Sequence, residues 1–142
     1  MTDESTTPDL VEILRYATEA LNRRDLDAVL SLYAPDAVGD FSQRGVGTFQ
    51  GSAALRGFLN DYYRSFDDLV FELEETHILD NGVVLAVVSQ QARPVGVAGH
   101  VYTREGWVFS FSPDGMIVRL YTSSDIDEAR AAAERLAQER GG

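Results

Sequence analysis

The stretch LVFELEETHILDNGVVLAVV, residues 69–88, decides how the chain folds. Leu69, Phe71 and Leu73 alternate with Val70, Glu72 and Glu74, so one side is dry and the other wet, which is the period of a strand. Asp80-Asn81-Gly82 follows, and Asn-Gly accepts the positive φ of a tight hairpin. Residues 83–88 are almost wholly apolar, as in a strand covered on both faces. Further on, Arg93-Pro94-Val95-Gly96 predicts a turn, residues 97–111 a long strand, Ser112-Pro113-Asp114-Gly115 another turn and residues 116–123 a fourth strand. Strands joined by such turns make an antiparallel meander.

Toward the N-terminus the period becomes 3.6. Leu10, Ile13, Leu14, Ala17 and Leu21 form one helical stripe. Thr7 reads as its N-cap, Pro8 as its first helical residue and Asp9 as an acid at the positive end, while polar residues 1–6 are expected to fray. Asn22-Arg23-Arg24 ends this helix. Asp25 caps a second, with Leu26, Val29, Leu30 and Tyr33 facing inward until Ala34-Pro35-Asp36 stops it. Residues 37–41 read as a short strand. Phe49-Gln50-Gly51-Ser52 leads into a third helix capped by Ser52, with Leu55, Phe58, Leu59, Tyr62 and Phe66 as its stripe. Asp125 caps a last helix with Ile126, Ala129, Ala133 and Leu136 on one side. Helices gathered ahead of a meander imply a single α+β domain over residues 1–142.

Composition narrows the chemistry. The chain has no cysteine, which excludes disulfides, thiolate metal sites and a cysteine nucleophile. Its formal net charge of −11 disfavours nucleic acid. No apolar run nears the roughly 20 residues that cross a bilayer, and the first residues lack a signal-peptide pattern. The expectation is therefore a cytoplasmic protein with no membrane contact. His77 and His100 are the only histidines and have no ligand-spaced companions, so neither a metal nor a cofactor is expected. Asn81-Gly82 and Asp114-Gly115 are turn chemistry and lack the spacing of phosphate cradles.

Three local patterns occur in order: Asn22-Arg23-Arg24-Asp25-Leu26-Asp27 with Leu32-Tyr33-Ala34-Pro35-Asp36-Ala37-Val38; Phe49-x-Gly51-x-x-Ala54-x-Arg56-x-Phe58; and Asp114-Gly115-Met116-Ile117-Val118-Arg119 running into Asp125. Over residues 9–130 the chain resembles the SnoaL-like branch of the nuclear-transport-factor-2-like (NTF2-like) superfamily. That resemblance implies an α+β cone: a curved mixed or antiparallel sheet around three N-terminal helices, plus a C-terminal helix. It also implies a pocket for a small hydrophobic molecule and a homodimer formed through the sheet. Tyr33, Phe58, Tyr62, Tyr102 and Trp107 are candidates to line the pocket.

The resemblance also locates candidate catalytic groups. In a ketosteroid-isomerase-like reading, Asp40 falls near the general-base position, one residue short in spacing from Asp36. Tyr16 lies one residue from the donor-tyrosine position, and Arg104 takes the place of the donor acid. His100, Tyr102 and Arg104 share one strand face, so all three can converge on the cavity if that face is concave. An epoxide-hydrolase-like set is disfavoured, because one expected acid position is Thr122 and the expected arginine–aspartate segment, residues 87–91, carries no charge. The key acid of a polyketide-cyclase-like site also lands on Thr122, which can orient a substrate by hydrogen bonds but not exchange protons at neutral pH. The readings left open are a cofactor-free isomerase or cyclase using Asp40 with Arg104, a non-catalytic ligand-binding domain, and a dimerisation domain whose cavity is filled by its own side chains.

Overall fold

Residues 9–141 are described in the computed structural model of the chain. In order they form α1 (Leu10–Asn22), α2 (Leu26–Leu30), β1 (Tyr33–Asp40), a 3-10 turn (Ser42–Arg44), β2 (Thr48–Gln50), α3 (Ser52–Arg64), β3 (Phe66–Ile78), β4 (Val83–Pro94), β5 (Val101–Phe111), β6 (Ile117–Ser123) and α4 (Ile126–Gly141). The expected fraying of residues 1–6 and the helix start at Thr7-Pro8 lie outside the described residues. Within them Asp9 is the N-cap of α1, accepting from the Glu12 N–H at 3.2 Å.

The six strands run in the order β2-β1-β6-β5-β4-β3. β3 to β6 are the expected antiparallel meander, and Asn81 and Gly82 both take positive φ at its first turn. β1 joins the far side by pairing parallel with β6. The sheet is therefore mixed, and it wraps the three N-terminal helices as an α+β cone.

Several local expectations need correction. Tyr33 does not end the second helix but opens β1. Pro35 favours extended backbone at Ala34, so α2 stops at Leu30. Phe49 and Gln50 pair with β1 as the short strand β2. Gly51, with φ 91°, caps α3 in place of Ser52. β5 begins at Val101 rather than at residue 97.

The two faces of the sheet have different partners. On the concave face α1, α2 and α3 pack through Leu14, Leu21, Leu30 and Leu55 against Phe71, Trp107, Phe109 and Leu120. On the convex face α4 lays Ala129, Ala133 and Ala137 on Val83, Leu85 and Val108. Residues 83–90 of β4 lie under both layers and are all buried. Gly106 lets α4 come this close, since a Cβ there would overlap the Ala129 Cβ. Asn22 ties α1 to the edge strand: its amide donates to the Phe71 carbonyl at 2.9 Å and accepts from the Phe71 N–H at 2.8 Å. No helix among the described residues is long and apolar enough to cross a membrane.

Candidate functional site

Between the three helices and the concave face lies a cavity with about 60 Å³ of room for the centres of water-sized molecules. Helices supply Leu21, Val29, Leu30, Leu55, Phe58 and Leu59 to its wall, and the sheet supplies Gly39, Phe71, Trp107, Leu120 and Thr122. Phe41 stacks on Phe58 at 4.3 Å between centroids. Tyr33 lines the wall, and burial pushes its phenol pKa upward. Of the residues singled out in the sequence, Tyr33, Phe58, Tyr62, Trp107 and Thr122 meet at this cavity.

Five others do not. In parallel register with β6, Gly39 sits opposite Leu120 and Asp40 opposite Tyr121. Side chains alternate along a strand, so Gly39 faces the cavity and Asp40 the far side. There Asp40 accepts from the Ser42 N–H and hydroxyl at 3.0 and 2.6 Å and pairs with Arg119 at 3.1 Å. Burial pulls its pKa upward, but the Ser42 hydrogen bonds, the Arg119 charge and the Thr48 hydroxyl together hold it below the usual value. Arg104 and Tyr102 alternate out of phase with Trp107 and bond Glu74 at 2.8 and 3.2 Å on the outer face. An irregularity in β3 between Leu73 and Glu75 leaves both Glu74 and Glu75 exposed, within 4 Å of that arginine. His100 is exposed beside Asp68 at 3.2 Å. Tyr16, one helical position from the inward Ala17, is turned about 100° away and lies exposed under the Arg23 guanidinium.

The polar end of the cavity joins Tyr62 and Trp107 to Arg44, Gln90 and Glu105, three residues that are not among the sequence candidates. The Tyr62 hydroxyl donates to Gln90 Oε1 at 2.7 Å and accepts from Arg44 Nη2 at 3.1 Å. Arg44 Nη1 lies 3.4 Å from Glu105 Oε1, which also accepts the Trp107 indole N–H at 2.9 Å. The Glu105 side chain is only 7% exposed, so these donors offset much of the cost of a buried carboxylate. Among the described residues, Arg44 is the one charged residue on the cavity wall. Arg44, Phe58, Leu59 and Tyr62 are half-buried, whereas Trp107, Leu120 and Thr122 are buried, so the arginine marks the end nearest solvent. A signal for Glu105 did exist: it is in phase with Trp107, Phe109 and Phe111, and a carboxylate on an aromatic strand face needs a partner. Arg44 sits in a loop closed by Phe41 and Gly47, where no periodicity points to it.

Thr122, beside Trp107 in register, has a buried hydroxyl without a hydrogen-bond partner among the described residues, as does Ser110 on the α4 side. No cluster of three or more histidine, aspartate or glutamate side chains that could hold a metal occurs among the described residues.

The SnoaL-like domain family matches residues 13–120. The chain belongs to the SnoaL-like family. No curated protein matches it by sequence. Among solved structures, this SnoaL-like chain is similar to TerC co-crystallised with polyporic acid, with a TM-score of 0.73 and 16% identity over 88% of this chain and 98% of that one. An NTF2-like protein of unknown function from Burkholderia pseudomallei matches with a TM-score of 0.72 and 22% identity, over 84% and 92% of the two chains. SalBIII, an epoxide hydrolase/cyclase-like enzyme with a role in pyran ring formation in the polyether salinomycin, matches at 0.71 and 20% over 87% and 93%. At these identities the likeness is one of SnoaL-like fold alone.

Proposed function

We propose that this SnoaL-like chain holds a small, largely apolar ring compound carrying at least one oxygen in the cavity between α1–α3 and the sheet. The observation that carries this reading is the division of the cavity wall: apolar and aromatic over most of its extent, with Arg44 and Tyr62 at one end. Apolar walls with a few placed polar groups are the usual form of a small-molecule site. One water occupies roughly 10–15 Å³ of a cavity, so the space takes several waters and favours a single substituted ring. Trp107 is the only tryptophan and lines the cavity, so its fluorescence reads occupancy directly. Titration with acetophenone and related one-ring compounds should shift or quench its emission saturably. No saturable change with any of them up to millimolar concentration would overturn the reading.

Cofactor-free proton transfer beside a carbonyl, of the isomerase or cyclase kind, is the second reading. Arg44 on the cavity wall favours it, as a cation that stabilises an enolate oxygen, with the Glu105 carboxylate 3.4 Å behind it as the candidate proton acceptor. Exchange of α-hydrogens of cyclic ketones in D₂O, followed by NMR for wild type and Glu105→Gln, tests it. Equal rates would leave ligand binding alone. The expected homodimer fits the part of the convex face that α4 leaves open, where Val70 and Tyr102 are exposed. Tyr102→Glu, assayed by sedimentation, should shift such a dimer to monomer.

A further inference from the structure

We infer that the cavity selects a ligand with an anionic oxygen on its apolar ring, a carboxylate, phenolate or enolate, and that Arg44 is the recognising group, with Glu105 as the internal anion the ligand competes against. This rests on the cavity being a ligand site and names the class of ligand it takes.

The guanidinium has five N–H donors. One is spent on the Tyr62 hydroxyl at 3.1 Å, and one approaches Glu105 Oε1 at the long distance of 3.4 Å. The same Glu105 oxygen is engaged more closely by the Trp107 indole, at 2.9 Å. Arg44 is thus oriented by its contacts but not saturated, and among the described residues no other charged side chain lines the cavity it borders. An arginine with donors not held by the protein favours a planar anionic acceptor over a neutral one, because charge-assisted hydrogen bonds are roughly twice as strong. Tyr62 keeps the guanidinium in place through its hydroxyl and through its ring, 5.5 Å from the arginine carbon. Thr122, on the adjoining wall, offers an unpaired hydroxyl for a second polar atom of the ligand. Glu105 sets the strength of the preference. Its charge compensates Arg44 while the cavity lacks an anion and repels an anion that enters, so removing that charge strengthens anion binding.

The test compares benzoate with its neutral isostere benzamide at pH 7, read by Trp107 fluorescence and confirmed by calorimetry on the full chain. Phenol at pH 7 and pH 10 serves as a third probe that separates carboxylate from phenolate ligands. Wild type is expected to bind benzoate about tenfold or more tighter than benzamide, a factor of ten being about 1.4 kcal/mol. Arg44→Met should abolish the preference, and Arg44→Lys should retain part of it. Glu105→Gln keeps an acceptor for Trp107 and should widen the preference, whereas a merely structural glutamate would weaken both ligands alike. Benzamide binding as tightly as benzoate, or a preference that survives Arg44→Met, would overturn the inference and leave the cavity a site for neutral rings. Absence of binding by benzoate, benzamide and acetophenone alike would remove the pocket reading and this inference with it.

Discussion

The indole N–H of Trp107 donates to Glu105 Oε1 at 2.9 Å, two residues back on the same face of one strand. The carboxylate thus fixes both the tryptophan ring and, through its other contact, the arginine at the cavity end. Glu105→Ala should lower unfolding free energy by about 1–3 kcal/mol, the cost of leaving buried donors unmatched. Glu105→Gln should cost less, because an acceptor oxygen remains. Urea denaturation of the two variants checks the order.

Asp40 is expected to be a structural carboxylate. Its pKa in the fold is held below the unfolded value by Ser42, Arg119 and Thr48. Such a group contributes stability that is complete above the unfolded pKa of about 3.9, and that stability is lost as pH falls through the lower folded value. Asp40→Asn should therefore be less stable than wild type by about 1 kcal/mol at pH 7. The gap should close with acidification below about pH 4. Thermal melts across pH measure it, and ligand titration of the same variant should match wild type.

Gly39 faces the cavity, where a Cβ would stand 2.8 Å from Leu55 Cδ2 and from Phe41 Cε2. Gly39→Val should fill part of the space and weaken a one-ring ligand about tenfold or more, since overpacking costs about 1–3 kcal/mol. Fluorescence titration measures the loss. A variant that binds as wild type would place the ligand elsewhere.

Gly106 is the contact point of α4 on the sheet, with Ala129 directly above it. Gly106→Ala should lift the helix and lower stability by about 1–3 kcal/mol. Faster amide exchange in α4 than in α1 would show that the damage is local to that layer.

The meander was legible because its turn residues separate runs with the pattern of strands between residues 69 and 123. The cone followed from three short patterns in a fixed order. β1 was half legible: Pro35 marked the end of a helix, but nothing local announced that the strand already begins at Tyr33 or that it pairs in parallel with β6. The site was legible where it is hydrophobic, since Phe58, Tyr62 and Trp107 belong to stripes with a clear phase. Its charged members were not. Arg44 lies in a loop without period, and although Glu105 stands out as a carboxylate in an aromatic strand phase, its partner is named only once Arg44 has been brought over from 61 positions away. The expected use of Arg104 failed by a single step of strand phase, the step that separates it from Glu105.

The parallel pairing of β1 with β6 has a further consequence. Gly39 and Phe41, in the first third of the chain, share a wall with Leu120 and Thr122 in its last third, so no early fragment of a nascent chain encloses the hollow. Contacts this distant in sequence form late and slowly. The compartment therefore comes into being with the last strand, and an occupant that favours the finished molecule raises its melting point in proportion to the logarithm of its own concentration.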